Sequence, residues 1–242
     1  MRKFLGSATV GVLIFVLNIS SFAGGPGTTA AGFLKIGVGA RAAALGDAFT
    51  VIVDDSTSLY WNPAGLIRIK ERQLSANYNM WFAGINQGYL GMSFPLSRGV
   101  MAAGVNYVNM GDFEGRDESG NPTGNFTASA LNYHLGYASG NDKNLIWGIS
   151  AGVVQDTIAD DIKSTYAANL GLIFKSSELL SLGLVVQNVG GELGDDPLPF
   201  LAKIGMALTW ESLLLVVDIA KPTDDDVYYC AGMEWWAWGG IV

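Results

Sequence analysis

The feature that most constrains this chain is a period-two rhythm in short segments whose off-phase positions are small. Leu131, Tyr133, Leu135 and Tyr137 alternate with Asn132, His134 and Gly136. Trp147, Ile149, Ala151 and Val153 alternate with Gly148, Ser150 and Gly152, and Tyr166 to Phe174 and Phe200 to Leu208 repeat the pattern. Such alternation sends successive side chains to opposite faces of a strand. In a soluble sandwich the polar face would carry Lys and Glu. Here it carries Gly, Ala, Ser and Asn, a composition suited to being covered by protein. The apolar face, with aromatic residues near strand ends, suits lipid. Backbone groups in lipid must all be satisfied internally, so the sheet is expected to curl into a barrel.

Composition agrees. Half of the 242 residues are apolar and only 15% are charged, against about 25% charged in soluble domains. A helical membrane protein would show several apolar runs of about 20 residues. Only the N-terminus approaches one. The formal net charge is −8 with no Lys/Arg-rich patch, which argues against nucleic acid as a partner. A single cysteine, Cys230, excludes an internal disulfide.

The expected architecture is all-β: an antiparallel up-and-down transmembrane β-barrel with a small N-terminal helical plug. Residues 1–23 read as a cleaved export signal, with Arg2 and Lys3, an apolar run to Leu17, and small residues at Ser21 and Ala23. Residues 24–71 lack strand alternation and read as the plug. A short helix is expected from Ala40 to Leu45, and a second through Tyr60, capped by Asp54 or Asp55 and ended by Asn62-Pro63-Ala64-Gly65. Residues 72–242 read as the wall, with about ten strands. Ser97–Gly99 and Ser176–Glu178 look like short periplasmic turns. Gly111–Thr127, Thr157–Lys163, Gly190–Pro197 and Lys221–Asp226 look like outer loops. The sequence stops in an apolar stretch at Ile241-Val242, so further strands are expected beyond it.

Gly27 to Phe49 resembles the N-terminus of the PorV/PorQ family, as does Asp54-Asp55-Ser56-Thr57-Ser58-Leu59-Tyr60-Trp61-Asn62-Pro63-Ala64-Gly65-Leu66. The second stretch is also similar to FadL-type long-chain fatty acid transporters, which share an Asn-Pro-Ala element after the plug. The resemblance implies a 14-stranded barrel with an N-terminal hatch, and two possible roles. One is protein secretion or surface attachment of the type IX kind. The other is passage of hydrophobic small molecules across the outer membrane.

No catalytic set, cofactor site or metal site emerges. His134 is the only histidine and has no nucleophile motif beside it, so it reads as a structural lumenal residue. Asp224, Asp225 and Asp226 lack the ligand spacing of a calcium loop and read as a solvated acidic loop. Asn132, His134, Asn169, Gln187, Lys203, Asp218 and Glu234 fall on lumenal phases of membrane strands, where charges are tolerated. Lys203 is expected to pair with Asp218 or Glu234, or with Asp47, Asp54 or Asp55 of the plug. Arg41 is expected to anchor the hatch to the wall. The alternative leaves these charges in water at strand ends. Gly46, Asp47, Asn62, Pro63 and Gly65 read as turn residues of the plug. Phe33, Leu34, Phe49 and Trp61 are candidate lining for a greasy pocket, or simply hatch packing. Expected partners are outer-membrane lipid, with exported proteins or a secretion complex on one reading and hydrophobic solutes on the other.

Overall fold

The structure is a computed structural model describing residues 25–237 and 240–241. The expected export signal lies outside the described residues. The strands are β1 (Gln73–Met80), β2 (Asn86–Leu96), β3 (Gly99–Arg116), β4 (Pro122–Gly140), β5 (Leu145–Ile158), β6 (Asp161–Lys175), β7 (Leu180–Gly190), β8 (Glu192–Leu193), β9 (Asp196–Pro197), β10 (Leu201–Thr209), β11 (Leu213–Pro222), β12 (Tyr228–Ala237) and β13 (Gly240–Ile241). Ten are long. Each long strand pairs antiparallel with the next, β7 passing to β10 across the separate β8–β9 hairpin. The order runs linearly from β1 to β13, and among the described residues β1 is not paired with β12 or β13.

The register puts the alternation to use. Tyr133 lies opposite Val105 and Val153, all on the outer face, while Asn132 lies opposite Asn106 and Val154 on the inner face. Leu135 is 65% exposed and Tyr166 76%, whereas Asn106 and Val154 are sealed. A large apolar side chain left in water forgoes about 1.5–3 kcal/mol of burial. An outer face built of such residues, strand after strand, is the surface of a lipid-facing wall.

Three expected loops are shorter than the sequence suggests. β3 and β4 continue their ladder through Asp112↔Thr127 to Arg116↔Pro122, as a hairpin projecting past the wall. The ladder shifts register after Asn109, where Gly111 adopts φ +86, and Phe113 then stacks on Phe126 with ring centroids 5.4 Å apart. Thr157–Lys163 closes as a tight β5–β6 hairpin, with Ile158 opposite Asp161. Gly190–Pro197 holds the small β8–β9 hairpin. Polar composition masked the alternation in all three.

Residues Gly32–Arg68 form an inner segment of short helical turns: a 3-10 turn at Gly32–Lys35, helix α1 (Ala40–Ala44), helix α2 (Ser58–Trp61) and a 3-10 turn at Pro63–Arg68. Helix α1 stops one residue short of expectation because Gly46 and Asp47 turn left-handed, at φ +60 and +63. The hydrophobic core lies between this segment and the wall. Leu45, Phe49, Val51 and Trp61 pack with Ile146, Ile173 and Val216, while Phe33 and Leu34 pack with Val108, Ala130 and Val154.

This explains the small residues on the off-phase. A Cβ added at Gly232 of β12 would lie 2.6 Å from the Leu45 carbonyl oxygen. One added at Gly148 of β5 would collide with the Pro63–Ala64 backbone. Glycine lets the helical turns sit directly on the sheet.

Candidate lumenal site

The polar residues on the inner face meet the inner segment through specific bonds. Arg41 on α1 makes a two-pronged contact with Glu234 of β12, Nε to Oε1 at 2.6 Å and Nη2 to Oε2 at 3.0 Å. Its Nη1 also reaches Asp54 at 2.9 Å. The Glu234 hydrogen bond holds the guanidinium proton more firmly than usual, against the opposing effect of burial. The fork geometry suits this role, since two parallel bonds fix orientation as well as position. Asp54 is therefore an ion-pair residue and not a cap. Asp55 is not the helix cap either: its Oδ1 accepts from the Thr57 amide at 2.7 Å in the turn that leads into α2, and Thr57 itself occupies the N-cap position without a side-chain cap bond.

Asp218 of β11 is buried and its Oδ2 accepts from both the amide (3.0 Å) and the hydroxyl (2.6 Å) of Thr50. Gln187 of β7 donates to the Tyr60 carbonyl at 2.6 Å. Asn62 is sealed, donates to the Thr50 carbonyl at 2.8 Å and accepts from the Ala64 amide, so it caps the turn that Pro63 opens. Gly65 lies where a side chain would strike Val53. Asn169 of β6 donates to Ser150 and accepts from the amide of Asn188, a residue at φ +58. Asn132 and His134 are buried on β4, and Asn132 Oδ1 and His134 Nε2 have no partner among the described residues.

The expected ion pair of Lys203 is not formed. No carboxylate lies within 4.0 Å of its ammonium among the described residues, because Arg41 holds Glu234 and Thr50 holds Asp218. Instead Lys203, only 3% exposed, rests its Nζ 4.9 Å from the centre of the Trp61 ring and 6.0 Å from that of Tyr228. The face of an indole carries the negative lobe of its quadrupole and attracts the cation. Nor is Asp224 solvated. It is buried beneath Lys35 and Thr29, with Thr29 Oγ1 at 2.6 Å, and ties the start of the inner segment to the β11–β12 loop.

Three cavities follow the boundary between inner segment and wall. One of about 190 Å³ is lined by Leu34, Asp47, Tyr60, Trp61, Gln187, Lys203 and Tyr228. Another, about 690 Å³, shares Lys35 and Asp47 with it and reaches Tyr78–Trp81 of the β1 side. A third, about 410 Å³, shares Asn188 with the first and is bounded by Val189, Leu198, Phe200 and Asp224. Of the four candidate lining residues, Leu34 and Trp61 face the first cavity. Phe33 and Phe49 do not face these cavities: Phe33 is in the core, and Phe49 packs edge-on against Trp61 under the Arg41 guanidinium. A further groove of about 370 Å³, between Leu90, Tyr133 and Leu135, involves outward-facing side chains.

Solved structures that resemble this architecture include hydrocarbon channels. The toluene transporter TodX of Pseudomonas putida superposes with a TM-score of 0.61 at 14% identity, over 82% of this chain and 80% of that one. A TodX deltaS2S3 mutant, described as a monoaromatic hydrocarbon channel, gives 0.61 at 13% identity over 82% and 79%. This chain has the fold of TodX. At such identity the likeness is one of fold alone. No protein-family model matches the chain, and no curated protein matches it.

Sequence reasoning did not single out Gln87, Asn106, Thr50 or Ser150. Asn79 donates to Gln87 at 2.7 Å and Gln87 to Asn106 at 3.1 Å, making an amide ladder across β1–β3. The signal was present, since Gln87 and Asn106 occupy off-phase positions of alternating strands. Ser150 shares that phase but is one small residue among many, and Thr50, outside the strands, gave no signal.

Proposed function

We propose that this chain is a non-enzymatic outer-membrane channel protein that passes small hydrophobic molecules, with residues 24–71 as a plug inside the wall 72–242. The observation that carries the reading is the set of adjoining cavities between inner segment and wall. They combine apolar and aromatic surface with a few oriented polar groups, as small-molecule sites do. The lipid-facing outer surface supports the membrane location, and the fold shared with hydrocarbon channels favours solute passage over the secretion role implied by the PorV/PorQ resemblance. The inner segment fills the lumen, so solutes would move along its margin.

The test is the initial uptake rate of radiolabelled toluene by Gram-negative cells expressing the full chain, against cells with empty vector. Faster uptake is expected. Equal rates, with the folded protein present in the outer membrane, would sink the reading. Copurification of exported proteins with it would revive the secretion alternative.

A further inference from the structure

The cavity around Lys203 has a chemistry that hydrocarbon passage does not require. Lys203 is buried, yet its ammonium has no hydrogen-bond acceptor or ion-pair partner among the described residues. Its charge is stabilised from one side by Trp61 and Tyr228 and faces the cavity on another. A buried ammonium without acceptors is costly, and the strongest compensation is an anionic oxygen. The rest of the lining is mixed: Leu34, Tyr60, Trp61 and Leu201 give ring and aliphatic surface, while Lys35, Asp47 and Asp225 add charge. The cavity volume, about 190 Å³, falls below the ~300 Å³ at which sites for drug-sized ligands begin. A compact molecule fits within it, whereas a long chain would have to extend into the adjoining cavities.

We propose that this cavity is a binding site for a single-ring aromatic carboxylate, with the carboxylate on Lys203 and the ring among Tyr60, Trp61 and Tyr228. The inference rests on the solute-channel reading and assigns one of its cavities a ligand class. Asp47 lines the same cavity. Burial, opposed by the Lys203 charge, pushes its carboxyl above the usual range, and when ionised it competes with a bound carboxylate for Lys203. Asp47 is left-handed at φ +63, a conformation that Asn adopts readily, so Asp47→Asn removes the competing charge without disturbing the turn.

The experiment is equilibrium dialysis of the purified full chain in a non-ionic detergent against benzoate, toluene and decanoate. Benzoate is expected to bind, Lys203→Gln to weaken it about ten-fold or more, and toluene to be indifferent to that change. Asp47→Asn is expected to tighten benzoate binding severalfold. Absent benzoate binding, benzoate binding unaffected by Lys203→Gln, or tighter binding of decanoate than of benzoate each overturns the proposal. Should Lys203→Gln fail to fold, Asp47→Asn decides alone: unchanged or weaker benzoate binding overturns it. The toluene uptake assay separates the two claims. Uptake without benzoate binding removes this site and leaves the channel; benzoate binding without uptake does the reverse.

Discussion

At the scale of single residues, the contacts between inner segment and wall are unequal in what they can lose. Glu234 is almost buried, while Arg41 is more than one-third exposed and keeps Asp54 as a second partner. Arg41→Met would strand a buried carboxylate, a loss of up to about 3–5 kcal/mol when burial is complete, and less here because Arg41 is partly in solvent. Glu234→Gln leaves a cation that Asp54 and water still solvate, at about 1 kcal/mol. The arginine variant should therefore unfold first in a urea series in detergent, and the reverse order would show that the pair does not anchor α1. Asn62→Ala removes a cap and orphans the Thr50 carbonyl, so a loss of about 2–4 kcal/mol is expected in the same series. A shift within error would mean that the turn is held by packing alone. Lys203 shows the limit of sequence at this scale. Its lumenal phase was legible, but its partner was not, since which carboxylate is free depends on Arg41 and Thr50, more than 150 positions away.

Between elements, the strands were legible and the inner turns only partly so. Period two survives wherever one face is lipid and the other is protein, as in β4 to β6. It fails in the projecting β3–β4 hairpin, where both faces of Asp112–Asn125 meet solvent and polar residues satisfy either side. The Lys221–Asp226 loop was misread for a related reason. An acidic run looks solvated until another element supplies a cation, and Lys35 comes from the far end of the chain. That tether has a pH dependence. Burial alone would raise the Asp224 carboxyl, but hydrogen bonds from Lys35 and Thr29, with the Lys35 charge, hold it below the usual range. A depressed acid contributes stability above its unfolded pKa and loses it as pH falls through the folded value. The stretch from Thr28 to Lys35 should thus be protected at neutral pH and released below about pH 4. Amide exchange corrected for intrinsic rate reads this directly, and Lys35→Met should reproduce the release at pH 7. Equal protection at both pH values would remove the tether from the account.

For the whole molecule, the decisive property is that the wall does not fill its own interior. Small barrels of about eight strands pack their lumen with wall side chains. Here glycine and alanine occupy many inner positions, and the largest sealed side chains include Phe49, Leu45, Leu59 and Leu66 of the inner segment. Segment and wall are one core divided between two parts of the chain, so displacing the segment opens a space that the wall cannot close. Gly148→Leu combined with Gly232→Leu places side chains where the Pro63–Ala64 and Leu45 backbones now lie. The outer face is untouched, and the strand ladders lose no hydrogen bond, so the sheet retains its lipid contacts. The double variant should conduct ions in planar bilayers in large steps, while the unaltered chain, its lumen occupied, stays nearly silent to salt. A double variant that inserts with native heat-modifiable mobility and remains silent would show that the segment shifts within the lumen without leaving it, and that the margin between segment and wall is wider than the static cavities suggest.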